Sequence, residues 1–344
     1  MTAPSSPKPP GLGPHVVGQR VVVRRVVRGE TGPTGGPAFT DVLGVMEAWA
    51  GGSARVRTEA GELVVIAVGD IVSGKPVPPR PSVRLRVPAG LAERRAVAAW
   101  PPREAEPLGE WLLRASDGYS GRANSVLAVG DPGLPVAEAL ARVSEFYRAH
   151  DLPAWAQVVV GSDEQAALED AGWVPARPGE ADTLFQLVSV SAARRVVRRR
   201  LPGDVPPTRV TDRVDDAWLA DDAHALAHLE AARPILDGPA EVGFVTVTEP
   251  GGGGVVAKGR VARGSGTVPG DQDWACLTNV WVSPDHRRRG LGTTVVATML
   301  DWAAERGVTT AYLQVRGDNP GAVTAYERLG FVTHHAYRYL TTPA

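Results

Sequence analysis

"NVWVSPDHRRRGLGTTVVATMLDWAAERG", Asn279 to Gly307, decides the reading of this chain. "NVWV" is a strand pattern, and "SPDH" ends it. From Leu291 the apolar residues Leu291, Val295, Val296, Met299, Leu300, Trp302 and Ala303 recur three and four apart, the period of an amphipathic helix. Arg287 to Gly292 therefore join a strand to a helix N-terminus. The first turn of any helix carries N–H groups without intrahelical acceptors and the positive end of the dipole. Gly290 and Gly292 remove Cβ atoms where a ligand would touch backbone, and Arg287, Arg288 and Arg289 add cationic charge. These are the parts of a pyrophosphate site.

A second pattern follows about thirty residues on. "DNPGAVTAYERLGF" places Asn319, Tyr326, Gly330 and Phe331 along a short helix and its exit. Taken together, R-x-x-G-x-G at Arg287, Gly290 and Gly292 and this later run resemble the GNAT N-acetyltransferases. The resemblance covers residues 208–344. It implies direct acetyl transfer from acetyl-CoA to an amine in a ternary complex, with no metal. The strand Val280, Trp281, Val282 would pair its backbone with the pantetheine arm, and one of its N–H groups would polarise the thioester carbonyl. Backbone N–H groups from Arg288 through Arg289, Gly290, Leu291 and Gly292 to Thr293 would hold the pyrophosphate. Asn319 would bond near the pantetheine, although "DNPGA" is also helix-capping sequence and both readings can hold. Tyr326 would give its phenolic proton to the departing thiolate; a packed helix aromatic is the plainer alternative.

The general base is where the chain departs from the pattern. Many relatives carry a carboxylate within the strand before the turn, and "CLTNVWV" offers Thr278 and Asn279 there. Asp273, Glu241 and His334 remain as candidates, acting through water. The acceptor stays open between a small amine and a protein lysine or N-terminus. An acyl-CoA-binding regulatory or scaffold protein is the alternative, supported only by the missing carboxylate.

The preceding segment repeats the same rhythm. "LPVAEALARVSEFYRAHDLPAWAQVVV" (Leu134 to Val160) parallels "LGTTVVATMLDWAAERGVTTAYLQV" (Leu291 to Val315), and "AALEDAGWV" parallels "TAYERLGFV", at an offset near 157 residues. Leu168 falls where Tyr326 stands, Gly130 where Arg287 stands, and Pro135, which has no N–H, where Gly292 stands. The expected fold is α+β: two GNAT folds with mixed sheets and flanking helices, the first (88–190) a degenerate copy and the second (208–344) catalytic. The first copy would wall the acceptor cleft or stabilise the second. In "GYSGRANSVLAV", Arg122 and Asn124 are candidate substrate contacts, with a plain turn into a strand as the simpler reading.

Residues 16–79 read as short strands separated by Gly-rich turns, Gln19–Val27, Asp41–Ala50, Ala54–Gly61 and Glu62–Val68, closed by Gly69–Val72. In size and rhythm they resemble an SH3-like β-barrel. Such a barrel ahead of a degenerate first copy resembles the actinobacterial type of GNAT protein. "KPVPPRP" reads as a stiff linker, and residues 1–15 as a disordered lead.

Composition narrows the remaining classes. Lys plus Arg number 37 against 38 Asp plus Glu, which gives no global pull toward nucleic acid or an anionic membrane. "RRVVRRRLPGDVPP" (Arg194 to Pro207) reads as a solvated edge and linker, since no aromatic residues interleave it as a nucleic-acid patch requires. The single cysteine, Cys276, allows neither an internal disulfide nor a cysteine metal cluster. No apolar run reaches the ~18 residues of a membrane span, and the N-terminus lacks a secretory pattern, so the cytoplasm is the expected location. The sequence leaves the oligomeric state open.

Overall fold

The computed structural model describes residues 11–32, 35–58, 60–77, 82–203, 206–249 and 253–343. They fall into two compact units divided between Ser82 and Val83.

In the N-terminal unit, β1 (Arg20–Thr31), β2 (Pro37–Ala50), β3 (Ser53–Thr58), β4 (Leu63–Ala67) and β5 (Ile71–Pro76) form one antiparallel sheet in the order β4-β3-β2-β1-β5. Alternate residues of these strands, Val21, Val23, Val42, Met46, Ala54, Val56 and Ile66, bury one face. The strands lie close to their sequence-read positions. Among the described residues β4 and β5 remain the two edges and do not pair, so the sheet is open. Residues 1–10 of the expected lead and 78–81 of the expected linker lie outside the described residues. Pro14–Val16 form a 3₁₀ turn whose Val16 is buried.

The larger unit opens with α1 (Ala89–Val97), β6 (Glu104–Leu108), β7 (Trp111–Ala115) and β8 (Val126–Leu127). It continues through α2 (Val136–Ala149), β9 (Trp155–Val159), α3 (Asp163–Asp170), β10 (Val174–Pro175), β11 (Thr183–Ser189) and α4 (Val190–Arg198). Its second half runs β12 (Thr208–Thr211), α5 (Asp216–Leu219), α6 (Ala223–Ala227), α7 (Leu229–Asp237), β13 (Val242–Thr248), β14 (Val255–Arg263) and β15 (Trp274–Val282). It ends with α8 (Leu291–Glu305), β16 (Thr310–Arg316), α9 (Pro320–Arg328) and β17 (Val332–Thr341). α2, β9 and α3 recur as α8, β16 and α9, so the repeat seen in the sequence is a repeat of structure.

All these strands share one mixed sheet, ordered β12-β13-β14-β15-β16-β11-β17-β9-β8-β7-β6, with β10 beside β17. The two halves exchange strands. β11 ends the first half in sequence, yet it lies between β16 and β17 of the second. In return, Tyr337–Thr341 of β17 lie between β9 and β10 of the first. Neither half has a complete sheet without the other.

Both faces are covered, and the period-2 alternation shows it. On β15, Ala275 and Leu277 pack with α8 and α4, while Trp274 and Cys276 pack with α1 and α5–α7. "RRVVRRR" is a correction to the sequence reading. Its first residues belong to α4, whose Val190, Ala193 and Val197 are buried at helical spacing. Arg194 is tied to Asp301 of α8 at 2.5 Å. The arginines cover the outer face of a core helix; they are not an edge leading to a linker. Residues 216–237 form three short helices; Asp215 and Asp222 cap the first two, and His228 separates the second from the third.

Candidate active site

β15 and β16 run parallel for only three pairs, Trp274 with Thr310, Ala275 with Ala311 and Cys276 with Tyr312, and then diverge. Past Cys276 the strand loses its partner on that side. On the other side its register against β14 slips between Lys258 and Arg260, and Asn279 takes a left-handed conformation, φ 53°. That is a β-bulge, which turns the backbone out of the ladder where the strands part.

A cleft of ≈ 720 Å³ fills the gap. Val280, Trp281 and Val282 form one side. The turn and the start of α8 form its end, with Arg287, Arg288, Gly290, Leu291, Gly292 and Thr293. α9 supplies Asn319 and Tyr326 from the far wall. All the site residues read from the sequence line this cleft except Arg289, which is exposed and outside it.

The turn is built by backbone conformation. Arg288 (φ 60°) and Gly290 (φ 82°) are both left-handed, and Gly290 caps α8. The intrahelical ladder begins with Thr294 N–H donating to the Gly290 carbonyl at 3.0 Å. Leu291, Gly292 and Thr293 thus have N–H groups with no intrahelical acceptor. Arg287 Nε donates to the Val282 carbonyl at 3.3 Å, which ties the turn to the end of β15. Among the described residues Arg287, Arg288 and Arg289 have no carboxylate partner, so the turn carries uncompensated positive charge. A Cβ on Gly292 would meet only Val282 Cγ2, at 3.5 Å. The protein leaves that space open, which is the cradle an approaching phosphate needs.

Asn319 caps α9, its Oδ1 accepting from Ala322 N–H at 3.1 Å. That leaves the Nδ2 donors, so capping and contact are compatible. Tyr326 packs edge-on to Phe331 at 5.7 Å. Its hydroxyl has no hydrogen-bond partner among the described residues, and burial pushes the phenol up to about 12. A phenol of this kind keeps its proton at neutral pH.

Over residues 91–340 the chain matches the family described as "Probable histone acetyltransferase Rv0428c C-terminal". The chain belongs to this GNAT acetyltransferase family. It is 30% identical over 338 residues to "Probable histone acetyltransferase Rv0428c" of Mycobacterium tuberculosis, spanning 96% of this chain and 95% of the relative. It is 27% identical over 258 residues to "Uncharacterized N-acetyltransferase YobR" of Bacillus subtilis, spanning 72% and 96%. Its fold is similar to that of a "Tandem GNAT protein from the clavulanic acid biosynthesis pathway", with TM-score 0.51 at 14% identity over 76% of this chain and 97% of that one. The protein is an acyltransferase with a tandem GNAT-like fold.

In the acetyltransferase's first half the corresponding turn is satisfied from within. Gly130 N–H donates to Glu164 Oε1 at 2.6 Å, Asp131 N–H to Glu110 Oε2 at 2.8 Å, and Gly133 N–H to Asp131 Oδ1 at 2.8 Å. Carboxylates of the chain stand where an anion would otherwise be held, and Pro135 caps α2 with no N–H to offer.

The three base candidates are placed by the fold. Glu241 pairs with Arg263 at 2.7 Å and with Arg306, past the C-terminal end of α8 and opposite the cleft. Asp273 precedes β15, at the end of the strand far from the bulge. His334 Nε2 bonds the Val87 carbonyl at 2.8 Å and Nδ1 faces His335 Nδ1 at 2.6 Å; burial and then His335 hold its pKa down. None of the three lines the cleft. Asn124 is also fully used: Oδ1 accepts from Ser116 and Gly118 N–H, and Nδ2 donates to the Tyr119 and Ser120 carbonyls. It is a loop brace.

What the sequence reading missed is a polar layer on the α1 face of the sheet. Glu93, 2% exposed, accepts from Gln157 (2.8 Å) and Gln314 (3.3 Å) and contacts His335 Nε2 at 2.8 Å. Fully buried Arg260 donates to the Ala99 and Leu236 carbonyls, at the C-terminal ends of α1 and α7, and burial pulls its pKa down to about 10. The signal lay in "WAQVVV", "TAYLQV" and "VVAKGRVA", where a polar residue interrupts an otherwise apolar strand.

Proposed function

We propose that this enzyme transfers an acetyl group from acetyl-CoA to a primary amine by direct attack in a ternary complex, and that its second half alone does so. The observation that carries the reading is the single cleft into which the bulged strand, the unsatisfied N-terminus of α8 and the Tyr326 phenol all open. Acetyl-CoA supplies the acetyl group as a thioester and departs as the thiol.

The chain's own groups account for the rest. The backbone of Val280 to Val282, freed by the splay, pairs with an extended arm, and an N–H at the bulge polarises the carbonyl. The N–H groups from Arg288 to Thr293 and the unpaired arginines hold the pyrophosphate. The Nδ2 of Asn319 steadies the arm beside them. Tyr326 gives its proton to the departing sulfur as the C–S bond breaks and the C–N bond forms, and the proton shed by the acylated nitrogen restores the phenol through solvent. Thr278 and Asn279 supply no base, so the acceptor ammonium loses its proton to water before attack. The rate therefore rises with pH toward the amine's own pKa.

The self-satisfied turn at Gly130–Gly133 supports a first half that holds no acetyl-CoA. The test is release of free thiol from acetyl-CoA, followed over a panel of amines. Amine-dependent release that falls at least ~100-fold in Tyr326→Phe supports the assignment. Binding of acetyl-CoA with no release for any amine would instead favour a CoA-binding scaffold.

A further inference from the structure

The loop between β7 and β8 is strained and braced. Asp117 (φ 47°), Gly118 (φ 81°) and Ser120 (φ 68°) are left-handed, and Asn124 holds the loop with all four of its hydrogen bonds. Conformations of this cost persist where the surroundings enforce them, and they gather at functional sites. This loop belongs to the first half, yet it delivers Tyr119 and Arg122 to the face of the second half's sheet on which Cys276, Thr278 and Gln314 stand.

Arg122 is held there in a defined pose. Its guanidinium lies 4.5 Å over the Trp100 ring, and one NH1 hydrogen goes to Gln314 Oε1 at 2.5 Å. Gln314 is two residues past the last β15–β16 pair, on the edge of the splay. The other N–H groups of Arg122 have no acceptor among the described residues. Among the described residues no carboxylate touches it. The nearest acid in the network is Glu93, reached through Gln314.

Glu93 does not neutralise it. His334 Nε2 must donate to the Val87 carbonyl, so a neutral His334 accepts at Nδ1 and His335 Nδ1 is the donor. The contact between His335 Nε2 and Glu93 Oε1 then needs one proton, which either partner can carry. The pair is neutral in both cases. Arg260, on the same face, spends its hydrogen bonds on carbonyls and Thr278 and adds a second cation.

We infer that Arg122 is a specificity-determining residue that binds an anionic group of the acceptor, and that the acceptor is an amine carrying a carboxylate, as a free amino acid does. The inference rests on the proposed acetyl transfer at the cleft beside α8. A guanidinium stacked on an indole, anchored at one corner and without an acceptor among the described residues for its other donors, suits bidentate capture of a carboxylate. The acceptor carboxylate would supply the counter-charge that the fold withholds.

The experiment compares proteinogenic amino acids with their decarboxylated amines as acceptors, in the wild type, Arg122→Ala and Arg122→Lys, with acetyl-CoA binding measured alongside. The wild type is expected to favour the carboxylate-bearing member of a pair by kcat/KM. Arg122→Ala is expected to lower that member's kcat/KM about 100-fold more than that of its decarboxylated partner, the penalty typical of removing one side of a desolvated charge pair. Arg122→Lys is expected to recover part of the loss, and both variants to bind acetyl-CoA as the wild type does. Equal or better use of the decarboxylated amine, or of a peptide lysine, overturns the inference. So does an equal loss on both members in Arg122→Ala, or binding of acetyl-CoA without acetylation of any amino acid. Failure to bind acetyl-CoA overturns the acetyl-transfer reading itself.

Discussion

Gly292→Asp separates stability from binding in this protein, because the two effects have opposite signs. Gly292 lies in the first turn of α8, in ordinary helical backbone, and a Cβ there meets only Val282 Cγ2 at 3.5 Å. Replacing a helical glycine by aspartate gains about 0.3 kcal/mol in propensity, and a carboxylate in the first turn gains about 0.3–1 kcal/mol from the dipole. The folded protein should be no less stable than the wild type. Its acetyl-CoA affinity should fall steeply. One negative charge placed ~5 Å from a pyrophosphate charge at an effective dielectric of ~20 costs about 3 kcal/mol, or roughly a hundredfold in Kd. Gly290→Asp is a poorer probe, since Gly290 is left-handed and its Cβ would lie 3.1 Å from Pro202 Cδ. Thermal unfolding and calorimetric titration on one preparation read both quantities. A Gly292→Asp protein that melts normally and binds acetyl-CoA within about threefold of the wild type would refute a pyrophosphate site at this turn.

Other consequences follow from burial and topology. All six tyrosines, Tyr119, Tyr147, Tyr312, Tyr326, Tyr337 and Tyr339, have pKa values raised mainly by burial. Raised folded-state values contribute stability that is fully present below ~10, the unfolded value, and is lost as pH climbs through the folded values. Tyrosinate absorbance should therefore stay low near pH 10 and rise together with unfolding; independent ionisation at pH 10 in the folded protein would contradict this. Because β11 and the end of β17 are exchanged, residues 208–344 alone should lack folded signatures by circular dichroism and amide exchange, and a well-folded fragment would contradict the exchanged topology. Removing the Glu93 carboxylate leaves His335, Gln157 and Gln314 facing an empty place, so Glu93→Ala should lose about 3 kcal/mol in urea unfolding, against almost none for an exposed control such as Glu305→Ala.

The cleft was legible in the sequence because its parts are local. A strand, a glycine turn and a helix contiguous from Asn279 to Gly307 leave the chain little freedom, and Asn319 and Tyr326 follow on the next helix. The repeat was legible for the same reason, since each half keeps its own order of strand and helix. What could not be read is what depends on contacts distant in sequence. β11 and β17 each look like an ordinary last strand, and nothing in "TLFQLVSV" says that it pairs with residues 310–316 rather than with its own half. Arg122 meets Gln314 across 192 residues, and Glu93 meets His335 across 242. α4 is hidden in the sequence by its arginines, which interrupt the core-facing Val190, Ala193 and Val197. Which strands form the two edges of the N-terminal sheet, β4 and β5, is likewise a matter of pairing that strand rhythm does not encode.

The most direct measurement of the central claim is the stoichiometry of acetyl-CoA binding to the whole chain by calorimetry. One site per chain, lost in Gly292→Asp, is the predicted result: the cleft beside α8 accepts the ligand, and the turn at Gly130–Gly133 is already filled by Glu164 and Glu110. Two sites per chain, or one site that survives Gly292→Asp, would contradict it.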